Sequence, residues 1–334
     1  MTIGDKQELR RCVKQAVRRA EVCEAMLDFD IASGEIGVEA MLDTWAHPAA
    51  TPGEALARVK AEHTPFSADA AAMFAAMDAM SFPVRDLNRA KAMEDEYERP
   101  AYLRAVLDAL HARCVLLRIS ADHAAQMALD DDRLEPLLAV DEALFVPGRF
   151  GVDYAGAARR VTECAKACGA HNLLLERFDA QALRYCLLPV CQDMGFALHV
   201  QLASCEEIER FVLLLDEFDG VRALACAAAD CEAHLIDAAR RRSRLLICLR
   251  GSVHFQDALH TLGTRFVPYS AYAHLPEQML GRWILEKERI WQALAEAYLP
   301  LARSGYELES TAIERDVKRL LCGNLLALCR PQSP

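Results

Sequence analysis

Short apolar runs return along the chain at intervals filled by helix-length amphipathic sequence, and this beat constrains the fold more than any single residue does. The runs fall at 25–31, 113–119, 133–140, 172–176, 195–203, 221–227, 244–251 and 265–270. Segments such as YAGAARRVTECAKACG and SCEEIERFVLLLDEFD lie between them. Strand patterns alternating with helix patterns predict parallel βαβ units, and eight of them predict a (β/α)8 TIM barrel, an α/β fold. An open doubly wound sheet is the runner-up. No glycine-rich turn follows the first run, so the dinucleotide-binding fingerprint is absent.

Helical sequence surrounds this beat. Residues 6–22 place Leu9, Cys12, Val13, Ala16 and Val17 on one face. Residues 35–110 are rich in Ala and Met, broken by Pro48, Pro52, Pro65, Pro83 and Pro100, and predict a helical insertion after the first strand. Residues 277–328 form a helical C-terminal tail, in which Thr311 and Glu314 have capping-box spacing and Gly323 is a candidate helix breaker. With no internal repeat and no low-complexity linker, residues 1–334 read as one domain, a length that barrels with insertions reach.

Hydrophobic residues make up 53% of the chain, enough for a large core, and the formal net charge is −11. An acidic chain repels phosphate backbones and anionic headgroups, which argues against nucleic acid and membrane partners. The run Arg240-Arg241-Arg242-Ser243-Arg244 reads as the solvated end of a helix, where cations suit the dipole. The 13 cysteines include no Cys-x-x-Cys pair and sit mainly in apolar stretches, as expected of buried free thiols in a reducing compartment. The first residues carry charges throughout and no apolar run has the length of a membrane span, so a cytoplasmic protein is expected.

The C-terminal half carries a resemblance. The segment RRRSRLLICLRGSVHFQDALHTLGTRFVPYSAYAHLPEQMLGRWILEKERIWQALAEAY, followed by IERDVKRLLCGNLLAL, resembles the uronate (glucuronate) isomerases, divergent TIM barrels of the amidohydrolase superfamily. In that family the eighth strand runs into Phe-Ile-Pro-x-His-Ser-Asp-Ala-Arg and then Leu-Glu-Gln. Here the run is Phe266-Val267-Pro268-Tyr269-Ser270-Ala271-Tyr272-Ala273-His274, then Glu277-Gln278, and Gly323-Asn324 matches the family's closing Gly-Asn. The match is good from about 190 to 328, weaker over 113–150 and thin across the shortened insertion.

The resemblance implies a metal-dependent aldose–ketose isomerase of carbohydrate metabolism, and most of its functional positions are altered. The first-strand His-x-His becomes Asp30 and Ala32, the fifth-strand histidine is retained as His199, and the eighth-strand aspartate becomes Tyr272. The arginine two residues on becomes His274. Ala139-Val140-Asp141 stands for Arg-Pro-Asp, Ala227-Ala228-Ala229 for the Ser-Arg region, and Arg250-Gly251-Ser252 for a Trp pair. A catalytic metal site takes about three protein ligands. The inherited set reduces to His199 with Asp30, so no cofactor is expected, and a divalent Zn or Mn only if the site is rebuilt around those two.

Strand C-termini of a barrel converge on one mouth. Candidate catalytic residues are His199, Asp30 and Tyr272. Candidate substrate-binding residues at the mouth are Arg118, Asp141, Glu176, Arg250, His254 and His274, beside Asp28 and Gln201. Each has a plainer structural reading. His199 suits a hydrogen-bonded core histidine, Glu176-Arg177 an ion pair at a strand end, and Tyr272 a filler of the vacated metal position. His254 and His260 share no helical face, and Trp283 and Trp291 have core or subunit-contact spacing. Three functions are therefore carried forward. The first is a divergent uronate-isomerase-like barrel binding a small acidic sugar or related anionic metabolite, with isomerisation altered or lost. The second is a non-catalytic structural or regulatory barrel. The third is a metal-independent lyase, epimerase or hydrolase at the same mouth. The insertion and the long final helix are candidate surfaces for a homo-oligomer.

Overall fold

The computed structural model describes residues 6–28, 57, 68–82, 99–126, 129, 131–141, 153–251, 253–304 and 306–330. Helix α1 (Lys6–Arg19) buries Leu9, Val13 and Val17, the face the sequence assigns it, and leads into β1 (Val22–Leu27). This strand starts three residues before the predicted run and ends at Leu27; residues 29–31 of that run, Asp30 among them, and Ala32 lie outside the described residues. Within the predicted insertion stand α2 (Ala68–Ala79) and α3 (Arg99–Leu110).

The beat then unfolds as expected. Strand β2 (Ala112–Ser120) and β3 (Leu134–Ala139) precede α4 (Tyr154–Cys168), which leads to β4 (Asn172–Leu175). A π turn, Leu183–Leu187, runs into α5 (Leu188–Met194), and β5 (Ala197–Leu202) follows. Next come α6 (Cys205–Glu217), β6 (Arg222–Ala227), α7 (Glu232–Arg240), β7 (Leu245–Cys248) and α8 (Phe255–Leu262). The tail is α9 (Pro276–Arg303), α10 (Ser310–Lys318) and α11 (Asn324–Cys329). Local chemistry sets several boundaries. Asp153 caps α4 by accepting the Gly156 N–H at 2.9 Å, and Gly169 ends it at φ 68, a left-handed conformation glycine adopts without strain.

The strands form one seven-stranded parallel sheet in sequence order, β1 through β7, curled with its helices outside. Period-two alternation divides its residues. Cys114, Leu116, Leu137, Leu174, Leu224 and Leu246 line the concave face. Val115, Leu117, Leu138, Leu173, Ala223 and Leu245 pack with the helices. The expected eighth strand is not a strand. The 265–273 segment makes two isolated parallel bridges instead, Cys248 to Val267 and Leu27 to Ala273. Val267 donates to the Ile247 carbonyl at 2.8 Å, and Asp28 donates to that of Ala273 at 2.8 Å. Prolonged pairing is prevented because the N–H of Ala271 is taken by a side chain, that of Glu24.

Glu24 is fully buried in the middle of β1. It accepts from the Met26 N–H at 3.1 Å, the Ala271 N–H at 2.9 Å, the Ser270 hydroxyl and the Trp283 indole N–H at 2.6 Å. Burial raises its pKa, and these four donors oppose the rise. Beneath the strands' N-terminal ends, α11 closes the concave face with Leu325, Leu328 and Cys329. Arg222 holds it there through the carbonyls of Ala327 and Leu328, and Asn324 through those of Thr264 and Phe266.

Three smaller expectations are corrected. Gly323 does not break the tail: it ends a π turn, Arg319–Gly323, that runs directly into α11. Thr311 and Glu314 form no capping box, because α10 starts one residue earlier with Glu309 at its N-cap, and the Thr311 hydroxyl bonds that carboxylate. The arginine run does end a helix, α7, but Arg242 and Arg244 are held by Asp216 and the Phe218 carbonyl rather than left to solvent.

Two substitutions test this frame. Glu24→Leu leaves four donors without an acceptor and is expected to cost about 4 kcal/mol or more in urea unfolding. A Cβ on Gly281 of α9 would stand 1.9 Å from the Ala72 carbonyl oxygen of α2. Gly281→Ala is therefore expected to destabilise by about 1–3 kcal/mol, the cost typical of forcing an extra methyl into a packed contact.

Candidate functional site

Polar side chains gather where the strands end. Asp28 directly follows β1, Arg118 lies near the end of β2, Glu176 follows β4, Arg250 lies beyond β7, and His274 follows the bridging segment. The Arg118 guanidinium grips Glu176 through two hydrogen bonds of 2.8 Å and reaches Asp28 at 3.4 Å. The other Asp28 oxygen meets Nδ1 of His274 at 3.1 Å. Glu176, Arg118, Asp28 and His274 thus form one continuous chain of polar contacts. The expected Glu176–Arg177 pair is replaced, since Glu176 turns to Arg118 and Arg177 to Asp141 at 3.6 Å. Asp141 is buried and accepts the backbone N–H groups of Glu176 and Arg177 at 2.9 and 3.0 Å, fixing the turn that presents Glu176.

A second group lies on the other side of the mouth. Arg250 sits over the Tyr272 ring, 5.1 Å from its centroid, a cation–π contact. Gln201 accepts from its guanidinium at 3.3 Å, and the buried Glu232 accepts its backbone N–H at 2.7 Å. Burial lifts the pKa of Glu232 above the ordinary glutamate range. Tyr272 adopts φ 45, a left-handed backbone that costs an aromatic residue energy. Its hydroxyl bonds the Cys226 thiol, and desolvation holds its pKa well above the usual phenol value. His254 has Asp257 3.3 Å away and lies near enough to Glu232 to act on its carboxyl electrostatically.

His199 projects to the concave face in the same sense as Ala197 and is 3% exposed. Nε2 faces the Asn172 amide oxygen at 3.3 Å, and burial lowers the ring's pKa to about 3. It is therefore a neutral imidazole at physiological pH. The described residues do not fit a divalent metal: among them no three His, Cys, Asp or Glu side chains converge. His199 is buried and turned to an amide, and Tyr272, where the resemblance calls for a ligand, is a protonated phenol bonded to a thiol. Asp30 and Ala32 lie outside the described residues.

Sequence reasoning missed Glu24 and Glu232. The signal for Glu24 was an acid inside the apolar run VCEAML, which a strand can bury only with donors waiting for it. Glu232 opens α7 and gives no comparable sign, because its partner is a backbone N–H from the next βα turn.

The arrangement defines an α/β, barrel-like protein with a polar mouth at the strand C-termini, and comparison with solved structures places that architecture among known ones. The chain shares its fold with a uronate isomerase from Bacillus halodurans, at TM-score 0.83 and 16% identity over 98% of this chain and 97% of that one. It also resembles a glucuronate isomerase from Caulobacter crescentus, at TM-score 0.54 and 13% identity over 98% of this chain and 95% of that one. No family model and no curated protein matches the sequence. None of the described helices is long and apolar enough to cross a membrane.

The state of His199 has a measurable consequence. Its pKa is 6.5 when unperturbed and about 3 when folded, so between those values the unfolded chain binds a proton that the folded chain does not. Stability is expected to fall as pH drops through that window, by about 1.4 kcal/mol per pH unit from this group. Urea midpoints from pH 7 to 4 should show a shallower loss for His199→Gln.

Proposed function

We propose that the chain is a divergent uronate-isomerase-like barrel that binds a small acidic sugar or related anionic metabolite at its mouth, with the ancestral metal-dependent isomerisation altered or lost. The fold likeness over nearly the whole of both chains supports the scaffold. The observation that carries the loss is Tyr272. It occupies the position where the resemblance calls for an aspartate, closes on Cys226 and supports Arg250. Together with the neutral, buried His199, it leaves the described residues without the ligand chemistry that a Lewis acid at this position needs.

This reading includes the complete (β/α)8 topology, with the bridging segment as the degenerate eighth strand, and a cytoplasmic protein without nucleic acid or membrane partners. A metal-independent acid–base enzyme is the second reading, favoured by one contact. Asp28 holds Nδ1 of His274 and leaves Nε2 directed elsewhere, the arrangement of an oriented general base.

The test incubates purified protein with D-glucuronate, with and without added Mn2+ or Zn2+. Bound sugar is followed by saturation-transfer NMR and ketose formation by carbon NMR. Binding without metal-stimulated ketose formation is expected. Metal-dependent turnover would overturn the proposed loss, and an absence of binding would leave the non-catalytic barrel. Metal-independent turnover that falls at least tenfold in His274→Ala would establish the second reading.

A further inference from the structure

Beside the mouth, between the turn after β7 and the first half of α9, lies a cavity of about 150 Å³. Arg250, Gly251, Tyr269, Arg282, Glu286 and Arg289 are among its lining residues. Three guanidiniums and one carboxylate are among the lining side chains, and of the three Arg282 already donates to the Ala271 and Tyr272 carbonyls at 2.8 and 3.4 Å. Arg250 has no carboxylate partner among the described residues, its guanidinium being engaged only by the Gln201 amide and the Tyr272 ring. Arg289 donates to Oε2 of Glu286 at 3.2 Å while remaining more than half exposed.

Glu286 points to the kind of molecule that fits. It is 2% exposed, and its second oxygen, Oε1, has no hydrogen-bond partner among the described residues. A buried carboxylate oxygen without a donor is costly, and in a cavity wall it marks a place for a ligand's donor. A ligand meeting both features presents an anionic head to the arginines and a hydroxyl to Glu286. Gly251 adds room: a Cβ built there meets no atom within 4 Å.

We propose that this cavity is the anion-holding subsite for a small hydroxy acid, whose carboxylate is clamped by the Arg250 and Arg289 guanidiniums and whose hydroxyl donates to Oε1 of Glu286. The inference rests on the reading of the mouth as a sugar-acid site and deepens it. Arg118 is already saturated by Glu176, so the carboxylate clamp lies on the β7–α9 side instead. Guanidiniums suit this role because their planar forks match a carboxylate.

The test is isothermal titration calorimetry on the full chain with D-glucuronate, D-glucose and cyclohexanecarboxylate, the last keeping the charge and lacking the hydroxyls. Glucuronate is expected to bind, and both other probes to bind at least tenfold more weakly. Arg289→Ala, at a solvent-facing position, and Gly251→Phe, which fills the cavity without touching a charge, are each expected to weaken glucuronate at least tenfold. Arg315→Ala, a charge control on α10, is expected to leave affinity unchanged. If glucuronate binds equally to the two cavity variants and is lost in His274→Ala, the subsite is overturned while the sugar-acid mouth stands. If no acid binds the unaltered chain, both readings fall. If cyclohexanecarboxylate binds as tightly as glucuronate, the role of Glu286 is overturned.

Discussion

One buried carboxylate holds together the place where the sheet would otherwise come apart. Glu24 collects donors from its own strand, from the bridging segment and from Trp283 on α9. A seven-stranded parallel sheet has two exposed edges unless something spans them. Here backbone pairing across the gap is limited to two bridges, and the side chain of Glu24 supplies the rest. A carboxyl group in such a place is tolerable only when its oxygens have partners, and four donors supply them here. Because Trp283 is one of the donors, the same carboxylate also sets the seat of α9, and with it the wall that Arg282, Glu286 and Arg289 present to the mouth.

The mouth above this seam is polar but largely self-satisfied on one side. Glu176, Arg118, Asp28 and His274 answer one another in sequence, which fixes their geometry and removes most of their charge from any ligand. The β7 side is different. Arg250 leans on an aromatic ring and an amide, neither of which cancels its charge. The two sides thus differ electrostatically: on one, charged groups answer one another, and on the other the Arg250 guanidinium meets an amide and a ring and no carboxylate among the described residues.

Much of this architecture is legible in the sequence because hydrophobic periodicity is strong wherever a strand is buried on both faces. RCVLLRI, NLLLE, ALHVQL and RLLIC each become the expected strand. The run at 265–270 makes a single bridge, at Val267, because an apolar pattern does not show where backbone donors go, and just beyond it Ala271 gives its N–H to Glu24. Strand ends are legible, so the positions of Arg118, Glu176 and Arg250 near them could be read from the sequence, but the pairings of their side chains could not. That Glu176 turns to Arg118 rather than to its neighbour Arg177 depends on the spacing between β2 and β4, which no local pattern encodes. The pairing of Tyr272 with Cys226 is likewise a fact of the closed interior and not of either sequence neighbourhood.

The cysteines divide the molecule into an inside and an outside. Cys23, Cys114, Cys322 and Cys329 crowd the floor of the concave face, with Cys23 and Cys322 3.3 Å apart, and Cys226 and Cys248 lie in the same concave cluster. Cys205 is exposed, and Cys12, Cys164 and Cys168 are half-buried. A thiol reagent applied to the intact protein meets this outer group first, and every sulfur of the concave cluster that it labels records a moment when α11 has left the floor or the sheet has parted. The chain thus carries a built-in clock of its own breathing, written in the order in which its sulfurs become available.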